Sequence, residues 1–179
     1  MRTIVITVYL NLLFTGVFAQ QPVKYFELSD SAFSEGSIYK LDIYYALMRP
    51  GVRIAPECYA QLDQVVQLLK THPEFIVEIS AHTDFRPIPI TNDSLSFKRA
   101  SDLRDYFNEK GIEPDRVIPK GYGKNIPYTV QKSDLIKYTY LNDGDILTEE
   151  FIKNLPTIEQ QEGAHQLNRR TELKILSIE

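Results

Sequence analysis

The apolar residues between positions 38 and 110 follow two periods in turn, and this alternation limits the fold more than any other feature of the chain. Apolar residues occupy every second position in 38–45 and 75–82, the pattern of a strand with one better buried face. Helical spacing follows each stretch, over residues 56–72 and about 93–110. Alternating strands and helices predict a layer of helices packed on one sheet.

The rest of the chain adds two strands to this pattern. Residues 115–122 predict a weaker strand, because it contains Pro119. Residues 171–176 predict a clear strand with Leu173 and Ile175 facing the core. We therefore predict an α/β sandwich of order β-α-β-α-β-β, with a mixed sheet and two main helices on one of its faces.

The predicted elements also suggest how the chain is organised. Residues 20–36 form an N-terminal arm, and residues 37–179 form one domain. Within it, residues 128–167 are a long excursion before the last strand, with short helices near 149–154 and 157–167. Such length is typical of an insertion with its own purpose or of a partly mobile segment.

The first nineteen residues resemble a secretory signal peptide. Arg2 precedes a mostly apolar run over residues 4–18, and Val17 and Ala19 are small residues two apart. We expect cleavage after Ala19 and export to the periplasm. An uncleaved membrane anchor is the alternative, although the run is short for a bilayer core of about 30 Å.

Charge and cysteine content exclude several classes of protein. Removal of residues 1–19 takes away one basic residue and leaves 19 basic against 24 acidic ones, a net charge of −5, so nucleic acid is not expected as a partner. Cys58 is the only cysteine and lies on the apolar side of the first helix, which predicts a buried side chain and no disulfide framework. The three histidines show no metal-ligand spacing, and we expect neither a metal nor a cofactor.

One charged residue of the second helix lies where an apolar one is expected. Helical projection places Arg99 on the same side as Leu95 and Leu103, and Asp84 leaves the preceding strand near the start of this helix. The two charges fit a plain salt bridge between loop and helix. They also fit a receptor for a zwitterion, in which Asp84 binds an ammonium and Arg99 a carboxylate. Charge patterning alone does not decide between these interpretations.

Short motifs spread over residues 38–176 resemble the OmpA-like (OmpA/MotB/Pal) peptidoglycan-binding domain. In chain order they are Ala81-His82-Thr83-Asp84, Asn92, Leu95-Ser96, Arg99-Ala100, Gly111-Ile112, Arg116, Gly121-Tyr122-Gly123, Pro127 and Asn168-Arg169-Arg170. The long excursion before Asn168 resembles Bacteroidetes-type versions of this domain. Ala81 in place of a frequent glycine, and Pro87 and Pro89 in the following loop, depart from the family pattern.

The resemblance implies a ligand and a set of residues that bind it. The ligand is peptidoglycan, bound without covalent chemistry through the diaminopimelate of its stem peptides. The two main ligand-binding positions of the family correspond to Asp84 and Arg99. Asn92 corresponds to a residue that shapes the loop or caps the helix, and Thr83 and Leu95 line the pocket.

The implied role is cell-envelope anchoring or integrity, not enzymatic catalysis. The protein is then periplasmic and associated with the cell wall or outer membrane. A periplasmic adaptor is the alternative, in which excursion residues 128–167 bind an envelope protein and the pocket is vestigial. Its contact residues are then Tyr138, Tyr140, Phe151 and Ile152. Whether the protein forms a homodimer stays open.

Overall fold

The computed structural model describes residues 24–43, 45–46, 53–87 and 91–178. The predicted signal peptide and Pro89 lie outside these residues. The structure therefore does not bear on cleavage after Ala19 or on the effect of Pro89 on its loop. Within the described ranges, no helix is long and apolar enough to cross a membrane.

The core of the fold is a four-stranded mixed sheet. Its strand order is β1-β6-β4-β5, with β1 and β4 antiparallel to β6 and β5 parallel to β4. These strands are β1 (Ile38–Leu41), β4 (Ile76–His82), β5 (Val117–Gly123) and β6 (Thr171–Ser177), while β2 (Tyr45–Ala46) and β3 (Arg53–Ile54) pair separately. The mixed sheet confirms the predicted fold class.

Two long helices cover one face of this sheet. They are α1 (Tyr59–Thr71), which follows a 3-10 turn at Pro56–Cys58, and α2 (Asn92–Glu109). Their buried side chains pack with the inward residues of β4 and β6 in one apolar core. Cys58 is buried in this core, as predicted, and burial of this apolar surface is what holds the helices on the sheet.

The first strand is shorter than predicted. It ends at Leu41, because the N–H of Asp42 donates to Gln61 Oε1 (2.9 Å) and the N–H of Ile43 turns back to the carbonyl of Leu41 (2.9 Å). Tyr45 keeps the alternating pattern but pairs with Ile54 in the small second sheet. Periodicity alone therefore merged two strands that belong to different sheets.

The opposite face of β4 carries a row of buried polar side chains. Glu78, Ser80 and His82 alternate with the core residues and are each less than a tenth exposed. The Ser80 hydroxyl donates to Glu78 Oε1 (2.6 Å), and the Tyr122 ring stacks on the His82 ring at 5.1 Å. The less apolar face of this strand is therefore covered as well.

The excursion folds around a second, smaller apolar core. Two short helices, α3 (Glu149–Lys153) and α4 (Ile158–Asn168), confirm the helices predicted there. Tyr138 and Ile152 are buried in this core, and Tyr140 and Phe151 pack against it. These four side chains therefore stabilise the insertion itself, which weakens the idea that they form a docking surface.

Candidate ligand site at the end of the parallel strands

Three strands and one helix converge at one edge of the sheet. Ala81, near the end of β4, is paired with Gly121 of β5 on one side and with Thr171, the first residue of β6, on the other. Helix α2 begins after the loop that leaves β4. The loop after β4 and the residues before β6 therefore meet beside the start of α2.

Close packing of α2 on β5 fixes this arrangement. Buried Ser96 accepts a hydrogen bond from the N–H of Gly123 (2.9 Å) and donates to the carbonyl of Asp93 (3.0 Å). A Cβ added at Gly121 would overlap the backbone of Phe97. The glycine therefore allows the helix to lie directly against the strand.

The first turn of α2 is capped by Thr91, whose hydroxyl accepts a hydrogen bond from the N–H of Ser94 (3.1 Å). Asn92 is therefore not the cap, which lies one residue earlier. Asn92 instead donates from Nδ2 to the carbonyl of Asp84 (3.3 Å). Asn92 thus ties the helix to the loop that carries the predicted site.

Asp84 is buried and held by two arginines. Its Oδ2 accepts from Arg86 Nε (2.9 Å) and Nη2 (2.6 Å) and from Arg169 Nη1 (2.5 Å), while Oδ1 accepts the N–H of Arg86 (3.1 Å). Burial by itself raises the pKa of this carboxyl, but the bonds from Arg86 and Arg169 outweigh it and lower the pKa. Asp84 is therefore an ionised acceptor at neutral pH.

Glu162 of α4 closes these charges into a ring. Its carboxylate pairs with Arg86 Nη1 (2.8 Å) and with Arg169 Nη2 (2.7 Å). Two acids and two bases therefore alternate around Asp84, Arg86, Glu162 and Arg169. We call this set the charge ring; it links the insertion to the loop after β4 and carries no net charge.

Arg99 lies outside the charge ring. Its guanidinium is centred 4.5 Å from the centroid of the Tyr45 ring, a cation–π contact. No hydrogen bond or ion pair joins Arg99 to Asp84, although both are described residues, so the plain salt bridge considered from the sequence is absent. Burial lowers the pKa of Arg99, and the charge of Arg169 adds to this effect, yet an arginine stays protonated.

A cleft of about 170 Å³ opens beside Arg99. The described residues that line it are Ile43, Tyr45, Arg99, Gln166, Arg169, Arg170 and Thr171. Thr83 and Leu95 are not among them: the Thr83 side chain is buried and its N–H donates to the carbonyl of Gly123 (2.9 Å), while Leu95 is half-buried on α2. An anionic group in this cleft would meet two or more guanidinium groups.

Sequence comparison decides which family this arrangement belongs to. Residues 50–137, which include β4, the loop after it and α2, match the OmpA family. The chain contains an OmpA-like domain. Residues 138–167, the larger part of the excursion, lie beyond the matched range, so the OmpA-like domain of this chain is extended by a separately packed segment.

The proteins similar to this chain include an outer membrane porin and a flagellar protein. The chain is 32% identical over 76 residues to outer membrane porin F of Pseudomonas aeruginosa, covering 42% of this chain and 22% of that protein. It is 29% identical over 90 residues to the sodium-type flagellar protein MotY of Vibrio parahaemolyticus, covering 48% of this chain and 31% of that protein. The chain thus spans less than a third of the length of either relative.

Among solved structures, the chain is similar to a peptidoglycan-associated lipoprotein from Burkholderia pseudomallei. The identity is 21%, the match covers 75% of this chain and 86% of that chain, and the TM-score is 0.47.

Sequence reasoning missed three side chains of this part of the OmpA-like domain. Arg86, Glu162 and Tyr45 each contact Asp84, Arg169 or Arg99. Glu162 and Gln166 are four residues apart on α4 and both bind Arg169. That spacing before the Asn168-Arg169-Arg170 motif was the one signal in the sequence that could have indicated their role.

Proposed function

We propose that this protein binds peptidoglycan without covalent chemistry, through the diaminopimelate of its stem peptides, and so helps to anchor or maintain the cell envelope. In this proposal Arg99 binds a carboxylate of the ligand and Asp84 binds its ammonium. The observation that carries the proposal is the guanidinium of Arg99, which lies at a cleft inside an OmpA-like domain without a carboxylate partner among the described residues.

The charges of Asp84 and Arg99 suit a zwitterion: Arg99 lines the cleft, and Asp84, which is not among the lining residues, is bound by Arg169, which is. Arg99 can bind a carboxylate through two parallel hydrogen bonds. Asp84 Oδ2 is occupied by two arginines, but Oδ1 accepts only one backbone N–H and keeps a free lone pair for an ammonium. The family resemblance supports the same roles for Asp84 and Arg99, with Asn92, Thr83 and Leu95 shaping the surroundings.

The expected affinity is low. Each charge-assisted hydrogen bond contributes about 1.5 to 3 kcal/mol, and much of this is offset when the ligand is immobilised. A single site should therefore bind in the micromolar to millimolar range. A polymer that carries many stem peptides raises the retention by rebinding.

The direct test is a calorimetric titration with a diaminopimelate-containing tripeptide. We expect Arg99→Ala and Asp84→Ala to weaken binding roughly ten-fold or more, because each removes one charge-assisted contact. Arg104→Ala is the matched control on α2, since the exposed Arg104 pairs with Asp105 away from the cleft. A tripeptide with lysine in place of diaminopimelate lacks one carboxylate and should bind wild type weakly. Equal affinity of wild type and Arg99→Ala for the diaminopimelate peptide would refute the proposal.

Location follows from the same proposal. We infer a periplasmic protein without enzymatic activity, exported by the segment over residues 1–19 and associated with the cell wall or outer membrane. N-terminal sequencing of the exported protein checks cleavage after Ala19. An envelope protein partner has one supporting feature, the exposed Ile136, Ile146 and Ile158 of the insertion. The residues predicted from the sequence to bind such a partner instead belong to the second core of the insertion or pack against it; they are Tyr138, Tyr140, Phe151 and Ile152.

A further inference from the structure

We propose that a second groove, on the free edge of β1, binds the N-acetylated sugars of the glycan to which the stem peptide is attached. This inference rests on the proposed function, because it takes the ligand at Arg99 to be a stem peptide. It adds a glycan site built by the arm, β1 and the insertion.

Three neighbouring clefts, each sharing lining residues with the next, lead from Arg99 to this groove. The cleft at Arg99 shares Ile43, Gln166, Arg169 and Arg170 with a neighbouring cleft of about 160 Å³. That middle cleft shares Lys40 and Asp42 with a groove of about 560 Å³. We call the three together the furrow. A ligand that starts at Arg99 can therefore continue along the boundary between the sheet and the insertion.

The middle cleft is lined by more basic than acidic side chains, although Lys40, Arg169 and Arg170 already pair with acids. Lys40, Lys137, Arg169 and Arg170 line it, against the single acid Asp42. Among the described residues, Lys137 is the base of this cleft without an ion pair, and it can meet a carboxylate of the ligand.

The largest groove has a different character. Its volume of about 560 Å³ falls within the usual range of small-molecule sites, about 300 to 1,000 Å³. Its lining includes the half-buried Tyr25, the buried Tyr39 and Tyr128, and the exposed Lys132, Ser133 and Asp143. The Tyr25 ring with mixed donors and acceptors around it suits a sugar, which has an apolar ring face and a rim of hydroxyl groups.

Net charge in this groove argues against an anionic ligand. Lys40 is engaged, since its ammonium pairs with Asp134 (3.2 Å) and donates to Tyr128 Oη (2.6 Å). The other charged residues of the same lining are one base, Lys132, and three acids, Glu27, Asp42 and Asp143. A neutral ligand rich in hydrogen-bonding groups meets this balance better than a phosphate or a carboxylate does.

The edge of β1 offers backbone groups to an amide. The N–H and C=O of Ile38 bond with Lys24 and Phe26 of the arm. Strand alternation directs the N–H and C=O of Lys40 to the same side. Among the residues that the structure describes, no backbone group pairs with Lys40 there. The acetamido groups of amino sugars carry the N–H and C=O that such an edge binds.

The test compares three ligands: the diaminopimelate tripeptide, the same tripeptide carrying its disaccharide, and peptide-free glycan chains. We expect wild type to bind the disaccharide–tripeptide about ten-fold more tightly than the tripeptide. Lys132→Ala with Asp143→Ala, and separately Ser133→Trp, should remove this gain while the tripeptide affinity stays unchanged. Glu150→Ala with Lys153→Ala on α3 is the control for substitutions of exposed insertion residues.

The outcomes separate this inference from the proposed function. Equal affinity of wild type for tripeptide and disaccharide–tripeptide, with no binding of glycan chains, overturns the glycan site even if Arg99→Ala abolishes tripeptide binding. Binding of glycan chains that is lost in Ser133→Trp supports the glycan site even if the tripeptide does not bind. Circular dichroism of each variant shows that the loss does not come from unfolding.

Discussion

At the scale of single residues, Glu172 is the acid of the sheet whose pKa departs furthest from its ordinary value. It is buried, Arg170 Nε donates to its Oε1 (2.9 Å), and His82 Nε2 lies 3.5 Å from its Oε2. Burial alone raises the pKa of this carboxyl, but the contacts with His82 and Arg170 outweigh it and lower the pKa to about 2. Burial lowers the pKa of His82 as well.

These two shifts predict how stability depends on pH. The folded pKa of Glu172 is below its ordinary value of 4.5, so its stabilisation is full above pH 4.5 and is lost as the pH falls toward 2. His82 protonates more readily in the unfolded chain, so stability begins to fall below about pH 6.5. Urea titrations should therefore show a decreasing free energy of unfolding from pH 7 to pH 3.

The matched variant is Glu172→Gln. It should lower the free energy of unfolding at pH 7 by roughly 1 to 3 kcal/mol, because it leaves Arg170 buried beside a neutral amide. Its profile should be flatter than that of wild type below pH 4.5. A wild-type profile without acid dependence would contradict the assignment.

The positions of Asp84 and Arg99 could be predicted because each follows from a local pattern. Asp84 follows a strand with a two-residue period, and Arg99 interrupts a helical stripe. The partners of Asp84 could not be predicted in the same way. Glu162 is 76 residues from Arg86 in sequence, and one exposed acid of an insertion looks like any other until the chain is folded.

At the scale of elements, α4 is the part of the insertion that reaches the candidate site. Glu162 holds Arg86 and Arg169 through contacts at its exposed carboxylate. Replacing Glu162 by glutamine removes a negative charge that competes with the carboxylate of a ligand. We expect Glu162→Gln to bind the diaminopimelate tripeptide about two- to five-fold more tightly at low salt, since exposed ion pairs contribute up to about 1 kcal/mol.

Salt and a neighbouring acid provide the controls for this prediction. The gain should shrink as ionic strength rises, because exposed charges are screened. Glu159→Gln is one turn away on the same helix and should leave the affinity unchanged. Weaker binding by Glu162→Gln would mean that the charge ring positions Arg169 for the ligand instead of competing with it.

Most elements could be predicted from periodicity, and the exceptions have physical reasons. The buried stripes of α1 and α2 and the alternation of β4 and β6 each reflect one face against one core. The end of β1 could not be predicted, because it depends on the side chain of Gln61 from α1. The N-cap was misplaced because Thr91, Asn92 and Asp93 are all good capping residues.

At the scale of the whole molecule, the two cores separate ligand binding from the bulk of the insertion. Asp84 and Arg99 lie on the loop after β4 and on α2, whereas Leu147 and Ile152 belong to the second core. Replacing residues 131–165 with a short Gly-Ser linker should therefore preserve binding of the diaminopimelate tripeptide at Arg99, while the added affinity from the glycan groove is lost with Lys132, Ser133 and Asp143. The melting temperature should fall, because Tyr128 and Val130 lose their packing partners.

The adaptor alternative predicts a different pattern for the same variant. If the insertion carries the function, Arg99→Ala should be retained in the envelope like wild type, and the shortened protein should be lost from it. A pull-down with sacculi and a fractionation of cells expressing each variant distinguish the two. Loss of tripeptide binding by a shortened protein that still folds would show that the insertion, and not the pocket, holds the ligand.

The base of the insertion has a consequence for how such domains diversify. The N–H of Tyr128 donates to Asn168 Oδ1 (2.8 Å), and Asn168 Nδ2 donates to the carbonyl of Leu147 (2.9 Å). The two chain ends of the insertion therefore stand side by side, and extra residues between them add little loop-closure entropy. Evolution can therefore lengthen, shorten or exchange the insertion at its base while the strands, Asp84 and Arg99 keep their positions.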